Sequence, residues 1–233
     1  MRIERALAPL VAAVALAGCG VSGQASPSPA GPAAVRYVAL GDSYTIGTSV
    51  DPGARFPDQL VAALCTESPS LELVANLGVN GYTSADLIRT ELPALDDLVP
   101  TFVTVLIGVN DVVQRVPIER YEANVVTILD SLLARLPADR IVTVAIPDYT
   151  VTPAGADYGD PGAQSVGIQA SNAIMARLAG ERGIAFVDIF DISLEAATDR
   201  SLVADDGLHP SGAQYARWVE RLVPVVTDLL GQD

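Results

Sequence analysis

The chain has 233 residues, half of them hydrophobic, and carries 14 basic against 28 acidic residues for a formal net charge of −14. That much apolar material supplies a core and excludes wholesale disorder, and the length suits one domain. All the basic residues are arginine, and the acidic balance argues against nucleic acid or an anionic bilayer surface as an electrostatic partner.

Arg2 and Arg5 open the chain ahead of a short apolar run, Leu7 to Ala17. The run falls short of the roughly 20 apolar residues a membrane span needs, so residues 1–18 read as an export signal. It ends Leu16-Ala17-Gly18-Cys19, which resembles the lipobox of bacterial lipoproteins. That resemblance implies that Cys19 becomes the lipid-bearing first residue, anchoring an exported protein to the outer side of the cell membrane. A plain secretory signal, with a fully secreted product, is the alternative. Residues 19–34 form the linker, and Val21 to Ala34 is rich in Ser, Pro, Gly and Ala, a composition that suits a flexible tether. The folded domain then covers residues 35–233.

Within that domain five short apolar or β-branched runs read as strands: Val35–Leu40, Leu71–Asn76, Phe102–Ile107, Ile141–Ile146 and Ile184–Asp188. Helical patterns alternate with them at Phe56–Cys65, Ser84–Leu92, Ile118–Leu136, Gln164–Arg182 and Ser211–Leu230. Pro117 suits the start of the third helix, and Gly183 a C-terminal cap on the fourth. Such alternation predicts an α/β fold with a parallel sheet between two helix layers. Pro147–Gly162 lacks periodicity. Two readings stand for it: a wall of a substrate cleft, or an insertion tolerated at the surface. The two cysteines, Cys19 and Cys65, make neither a disulfide framework nor a metal site. Cys65 is expected to be buried at a helix end.

Four segments carry chemistry. In Leu40-Gly41-Asp42-Ser43 a serine follows a strand at the edge where open parallel sheets bind ligands. Ser43 is there either a nucleophile or the cap of a helix. The chain's one histidine, His209, sits in Asp205-Asp206-Gly207-Leu208-His209-Pro210, so a serine that needs an imidazole base has one candidate. Asp206 is placed to orient that imidazole, with Asp205 as the alternate. Asn110, in Gly108-Val109-Asn110-Asp111 after the third strand, offers an amide to an oxyanion. Gly78, in Asn76-Leu77-Gly78 after the second, permits close approach of a backbone N–H. Asp42 and Asp111 read as braces of their turns.

In this order the four segments resemble the blocks of the SGNH (GDSL) hydrolases: Gly-Asp-Ser, a glycine block, Gly-x-Asn-Asp and Asp-x-x-His. Tyr44 stands where the family often has Leu. The resemblance runs from Val35 to about Leu230. It implies a flavodoxin-like three-layer α/β/α sandwich with about five parallel strands. It also implies Ser43 as nucleophile, Asp206 and His209 as orienter and base, and oxyanion donors from Ser43, Gly78 and Asn110. The expected partner is a small-molecule ester, and the chemistry calls for no metal or cofactor. Short acyl esters are the first expectation. The same machinery would serve a carbohydrate O-acetyl esterase, a thioesterase or a lysophospholipase, and the distant alternative is a non-catalytic binding lipoprotein. Oligomeric state is not legible.

Overall fold

The computed structural model describes residues 34–66 and 70–231. The expected export signal, Cys19 and nearly all of the linker lie outside the described residues.

Five parallel strands form one sheet: β1 (Val35–Gly41), β2 (Leu71–Asn76), β3 (Phe102–Leu106), β4 (Ile141–Val144) and β5 (Ala185–Val187), in the order β2-β1-β3-β4-β5. The expected five-stranded α/β sandwich is therefore what the chain adopts. Strand side chains alternate between faces with a period of two. Tyr37, Ala39, Phe102 and Leu106 pack into one helix layer, and Val38, Leu40, Val103 and Val105 into the other. Burial on both faces explains why these strands read as continuous apolar runs.

The helices are α1 (Ser43–Ile46), α2 (Phe56–Ala63), α3 (Ser84–Asp86), α4 (Leu92–Leu98), α5 (Val109–Val113), α6 (Ile118–Leu133), α7 (Pro161–Glu181), α8 (Phe190–Leu194) and α9 (Gly212–Leu230). Helices α2 and α9 cover the first face through Phe56, Leu60, Tyr215, Trp218 and Leu222. Helices α4, α6 and α7 cover the second through Leu92, Leu95, Val125, Ile128, Met175 and Leu178. Trp218 and Tyr215 meet edge to face at 4.9 Å between centroids, and Phe56 lies 6.1 Å from Trp218. Truncating a buried aromatic of this kind costs about 3–5 kcal/mol.

Some local expectations change. The helix expected over Ser84–Leu92 runs on to Leu98 through a π-turn at Leu87–Glu91, where the Leu92 N–H reaches the Leu87 carbonyl five residues back. Pro93 is the physical reason: it lacks the N–H that would complete the next α-helical bond, and the ladder opens there. Cys65 is exposed, contrary to expectation. Helix α2 ends at Ala63 and buries Phe56, Leu60 and Leu64; Cys65 falls one step past that stripe, on the solvent side. Gly183 adopts φ +70 just past α7, and the Ile184 N–H returns to the Ala179 carbonyl at 2.9 Å, closing the helix as expected. Among the described residues no helix is long and apolar enough to cross a membrane.

Candidate active site

The sheet order reverses direction between β1 and β3. In such sheets the crevice at the carboxyl ends of the two diverging strands is where ligands bind. The segments after β1 and β3 carry Ser43 and Asn110.

The turn after β1 is tightly specified. Gly41 has φ +149, and a methyl group there would lie 2.1 Å from the Leu106 carbonyl oxygen and 2.3 Å from Thr45 Oγ1, so only glycine fits. The side chain that caps α1 belongs to Asp42, whose Oδ1 accepts the Tyr44 N–H at 3.0 Å. The capping alternative for Ser43 is thus taken by its neighbour. Ser43 is the first residue of α1 and 7% exposed, and its hydroxyl makes no hydrogen bond among the described residues. The Tyr215 hydroxyl donates to the Tyr44 carbonyl at 2.9 Å, tying α9 to this turn.

The opposite lip is the loop that ends at His209. Its backbone is closed by the Ala204 N–H on the His209 carbonyl at 2.8 Å and by Gly207 at φ +72. His209 Nδ1 lies 2.6 Å from Asp206 Oδ2. With the proton on Nδ1, as a carboxylate partner dictates, Nε2 is left as an acceptor. Asp206 takes three further hydrogen bonds: the N–H groups of Leu208 and His209 on Oδ1, each at 2.9 Å, and the Ser49 hydroxyl on Oδ2 at 2.7 Å. Burial alone would raise its pKa, but the bonds from His209, Ser49 and the backbone outweigh burial and hold it down to about 2. Asp206 and not Asp205 is the residue on the imidazole, which separates the two orienting candidates.

Ser43 and His209 line one cleft of about 240 Å³ together with Tyr44, Asn80, Gly81, Val109, Asn110, Val113, Tyr149, Tyr158 and Leu208. The His209 ring lies 5.3 Å from the Tyr44 ring. Asn110 Nδ2 donates to the Tyr82 carbonyl at 2.9 Å. One amide hydrogen is used to fix the side chain, and the other remains for a ligand.

Gly78 is placed differently. It does not line the cleft. It packs against the nucleophile turn, where a methyl group would come within 2.6 Å of the Ile46 nitrogen and 2.7 Å of the Asp42 carbonyl oxygen. Its N–H donates to Asn76 Oδ1 at 3.1 Å, so a ligand oxygen would have to share that hydrogen. The Ser43 N–H, by contrast, has no acceptor among the described residues. Asp111 accepts the Ser84 N–H and hydroxyl at 2.8 and 2.5 Å, bracing α5 against α3.

Of the two readings of Pro147–Gly162, the cleft wall is the one observed. Tyr149 and Tyr158 both line the cleft and meet edge to face at 5.8 Å. Sequence reasoning missed both as individual residues; the signal was two tyrosines in a loop of a chain with seven. It also missed Ser49, at φ +65 with its hydroxyl on Asp206, and Glu91, buried beneath the turn. Glu91 repeats the helical spacing of Leu87 and Leu95, both buried; a carboxyl on an apolar stripe was the available signal. Among the described residues no group of three or more His, Cys, Asp or Glu side chains could hold a metal ion.

Residues 39–217 match the GDSL-like Lipase/Acylhydrolase family. The chain belongs to that family. It is accordingly a carboxylic ester hydrolase. No curated protein matches it in sequence. Among solved structures the GDSL-like chain is similar to TesA, at 21% identity and a TM-score of 0.66 over 84% of this chain and 99% of that one. It is similar to a variant of Axe2, an acetyl xylan esterase from Geobacillus stearothermophilus, at 19% identity and 0.63 over 82% and 94%. It is also similar to the psychrotrophic esterase EstA from Pseudoalteromonas sp., at 17% identity and 0.62 over 84% and 99%. At these identities the likeness establishes the shared fold.

Proposed function

We propose that this GDSL-like hydrolase cleaves short-chain carboxylic esters through an acyl-enzyme on Ser43. The observation that carries the reading is the hydrogen bond of 2.6 Å between Asp206 and His209 at the lip of the cleft that Ser43 also lines. His209 Nε2 takes the Ser43 proton as Oγ attacks the ester carbonyl. The oxyanion is met by the Ser43 N–H and the Asn110 amide. The imidazolium, stabilised by Asp206, returns its proton to the departing alkoxide. Water, deprotonated by the same imidazole, then attacks the acyl-enzyme, and Ser43 leaves with the proton and frees the acid.

The size of the cleft supports acetyl to about hexanoyl chains. The tyrosine pair Tyr149 and Tyr158, set near Asn80, favours a second reading, an O-acetylated carbohydrate, since aromatic faces with nearby amides suit a sugar. Steady-state rates on p-nitrophenyl acetate, butyrate and palmitate and on acetylated xylo-oligosaccharides separate the readings. Butyrate should exceed palmitate; a single methylene discriminates by roughly 1–3 kcal/mol at most. Faster palmitate turnover would reject the short-chain reading, and a dominant rate on the acetylated sugar would select the second. We also propose export and lipid anchoring through Cys19, on the Leu-Ala-Gly-Cys string. Mass spectrometry of the mature N-terminus tests it, and cleavage elsewhere or an unmodified Cys19 would refute it.

A further inference from the structure

The end of β1 is held from behind by a residue fifty positions away. Glu91 Oε2 accepts the Gly41 N–H at 2.8 Å, and Gly41 is two residues before Ser43. Glu91 is 3% exposed and Asp42 is fully buried. Each keeps one carboxyl oxygen buried without a partner, Oε1 of Glu91 and Oδ2 of Asp42. Two ionised carboxylates so placed would each carry an uncompensated charge in a low-dielectric interior, so the pair has to retain a proton. Glu91 closes the π-turn and lies on the same buried stripe as Leu87 and Leu95.

We propose that Glu91 is a positioning residue for Ser43: as a neutral carboxylic acid it holds the Gly41 N–H and with it the turn that carries the nucleophile, and its ionisation at alkaline pH releases that turn. The inference rests on Ser43 as nucleophile. The Gly41 N–H by itself favours the ionised form, but an ionised Glu91 would repel Asp42 and leave Oε1 charged and out of water, so the turn has to open to hydrate it. Burial raises the carboxyl of Asp42 to about 8, with the charge of Asp111 adding to it. Burial likewise raises Glu91 to about 9, with Asp42 adding. The other groups acting on Asp42 or subject to its charge are Asp111 from α5 and the phenols Tyr44, Tyr121 and Tyr215 from α1, α6 and α9. None of these is a cation that would favour ionisation.

The experiment compares wild type, Glu91→Gln and Glu91→Ala in kcat and KM for p-nitrophenyl butyrate from pH 7 to 10.5, and in Tm from pH 5 to 9. Glutamine keeps an acceptor for Gly41 and places an N–H where the unpartnered oxygen was. Glu91→Gln should hold kcat within about threefold of wild type near neutrality and fall less steeply with pH than wild type, the remaining fall belonging to Asp42, whereas Glu91→Ala should lose about ten- to a hundredfold in kcat with KM little changed. A carboxyl raised above its unfolded value costs stability as pH climbs from about 4.5 toward its folded value. The Tm advantage of Glu91→Gln over wild type should therefore grow from pH 5 to pH 8. An alkaline limb as deep in Glu91→Gln as in wild type, a Glu91→Gln as impaired as Glu91→Ala, or a Tm difference flat with pH would each overturn the proposal. If Glu91→Ala does not fold, wild type and Glu91→Gln decide alone. If wild type hydrolyses no ester, the reading of Ser43 fails, while the Tm comparison still tests the buried proton.

Discussion

The two lips of the cleft are each built around an aspartate, and the two are in opposite states. Asp42, beneath the nucleophile turn, is fully buried, accepts one N–H on Oδ1 and leaves Oδ2 without a partner; burial drives its pKa up to about 8. Asp206, on the histidine loop, is partly exposed and receives four hydrogen bonds; despite the opposing effect of burial they hold its pKa down to about 2. The same carboxyl group thus stands in two environments: one beneath the nucleophile turn that disfavours its charge, and one on the histidine loop that favours the charge where an imidazolium must be stabilised. Separation of carboxyl pKa values by environment is how a single residue type divides structural and catalytic labour.

The contrast breaks or holds under paired substitutions. Asp206→Asn should lower kcat by roughly a thousandfold or more, because an amide no longer stabilises the imidazolium and can select the wrong tautomer. Asp42→Asn should stay within about tenfold, since the amide keeps the Oδ1 acceptor and needs no ionised form. Steady-state kinetics on both measures this; equal losses would mean that Asp42 also acts as a charge. Next in size, Asn110→Ala should lower kcat by roughly a hundred- to a thousandfold with less change in KM, since the amide serves mainly the transition state. A change confined to KM would make Asn110 a contact to the ground-state substrate.

The smallest effect is thermodynamic and has a definite sign. Asp206, depressed in the folded state, contributes stability that is fully present above the unfolded carboxyl value near 3.8 and lost as pH falls toward 2. Tm of wild type should therefore fall more steeply than that of Asp206→Asn on acidification from pH 5 to pH 2. Parallel curves would mean that the four hydrogen bonds do not favour the ionised form.

What could be read from the sequence was whatever depends on local pattern. The central strands showed as apolar runs because both their faces are buried, and Ser43, Asn110, Asp206 and His209 showed because each sits in a short polar segment. Features that depend on distant packing were not legible. Glu91 meets the Gly41 N–H across fifty positions, and Ser49 reaches Asp206 across 157. Tyr149 and Tyr158 face the cleft because the loop folds into short turns that no periodicity announces. Cys65 was misjudged because the helix stripe, read one residue too far, hid where α2 ends.

The central claim is that Ser43 is the nucleophile and that the Asp206–His209 pair activates it. Intact-protein and peptide mass spectrometry after incubation with a fluorophosphonate tests it most directly. The account predicts one adduct per chain, carried by the peptide containing Ser43, absent in Ser43→Ala and formed thousands-fold more slowly or not at all in His209→Ala. An adduct on another residue, or labelling of Ser43→Ala at the wild-type rate, would contradict it.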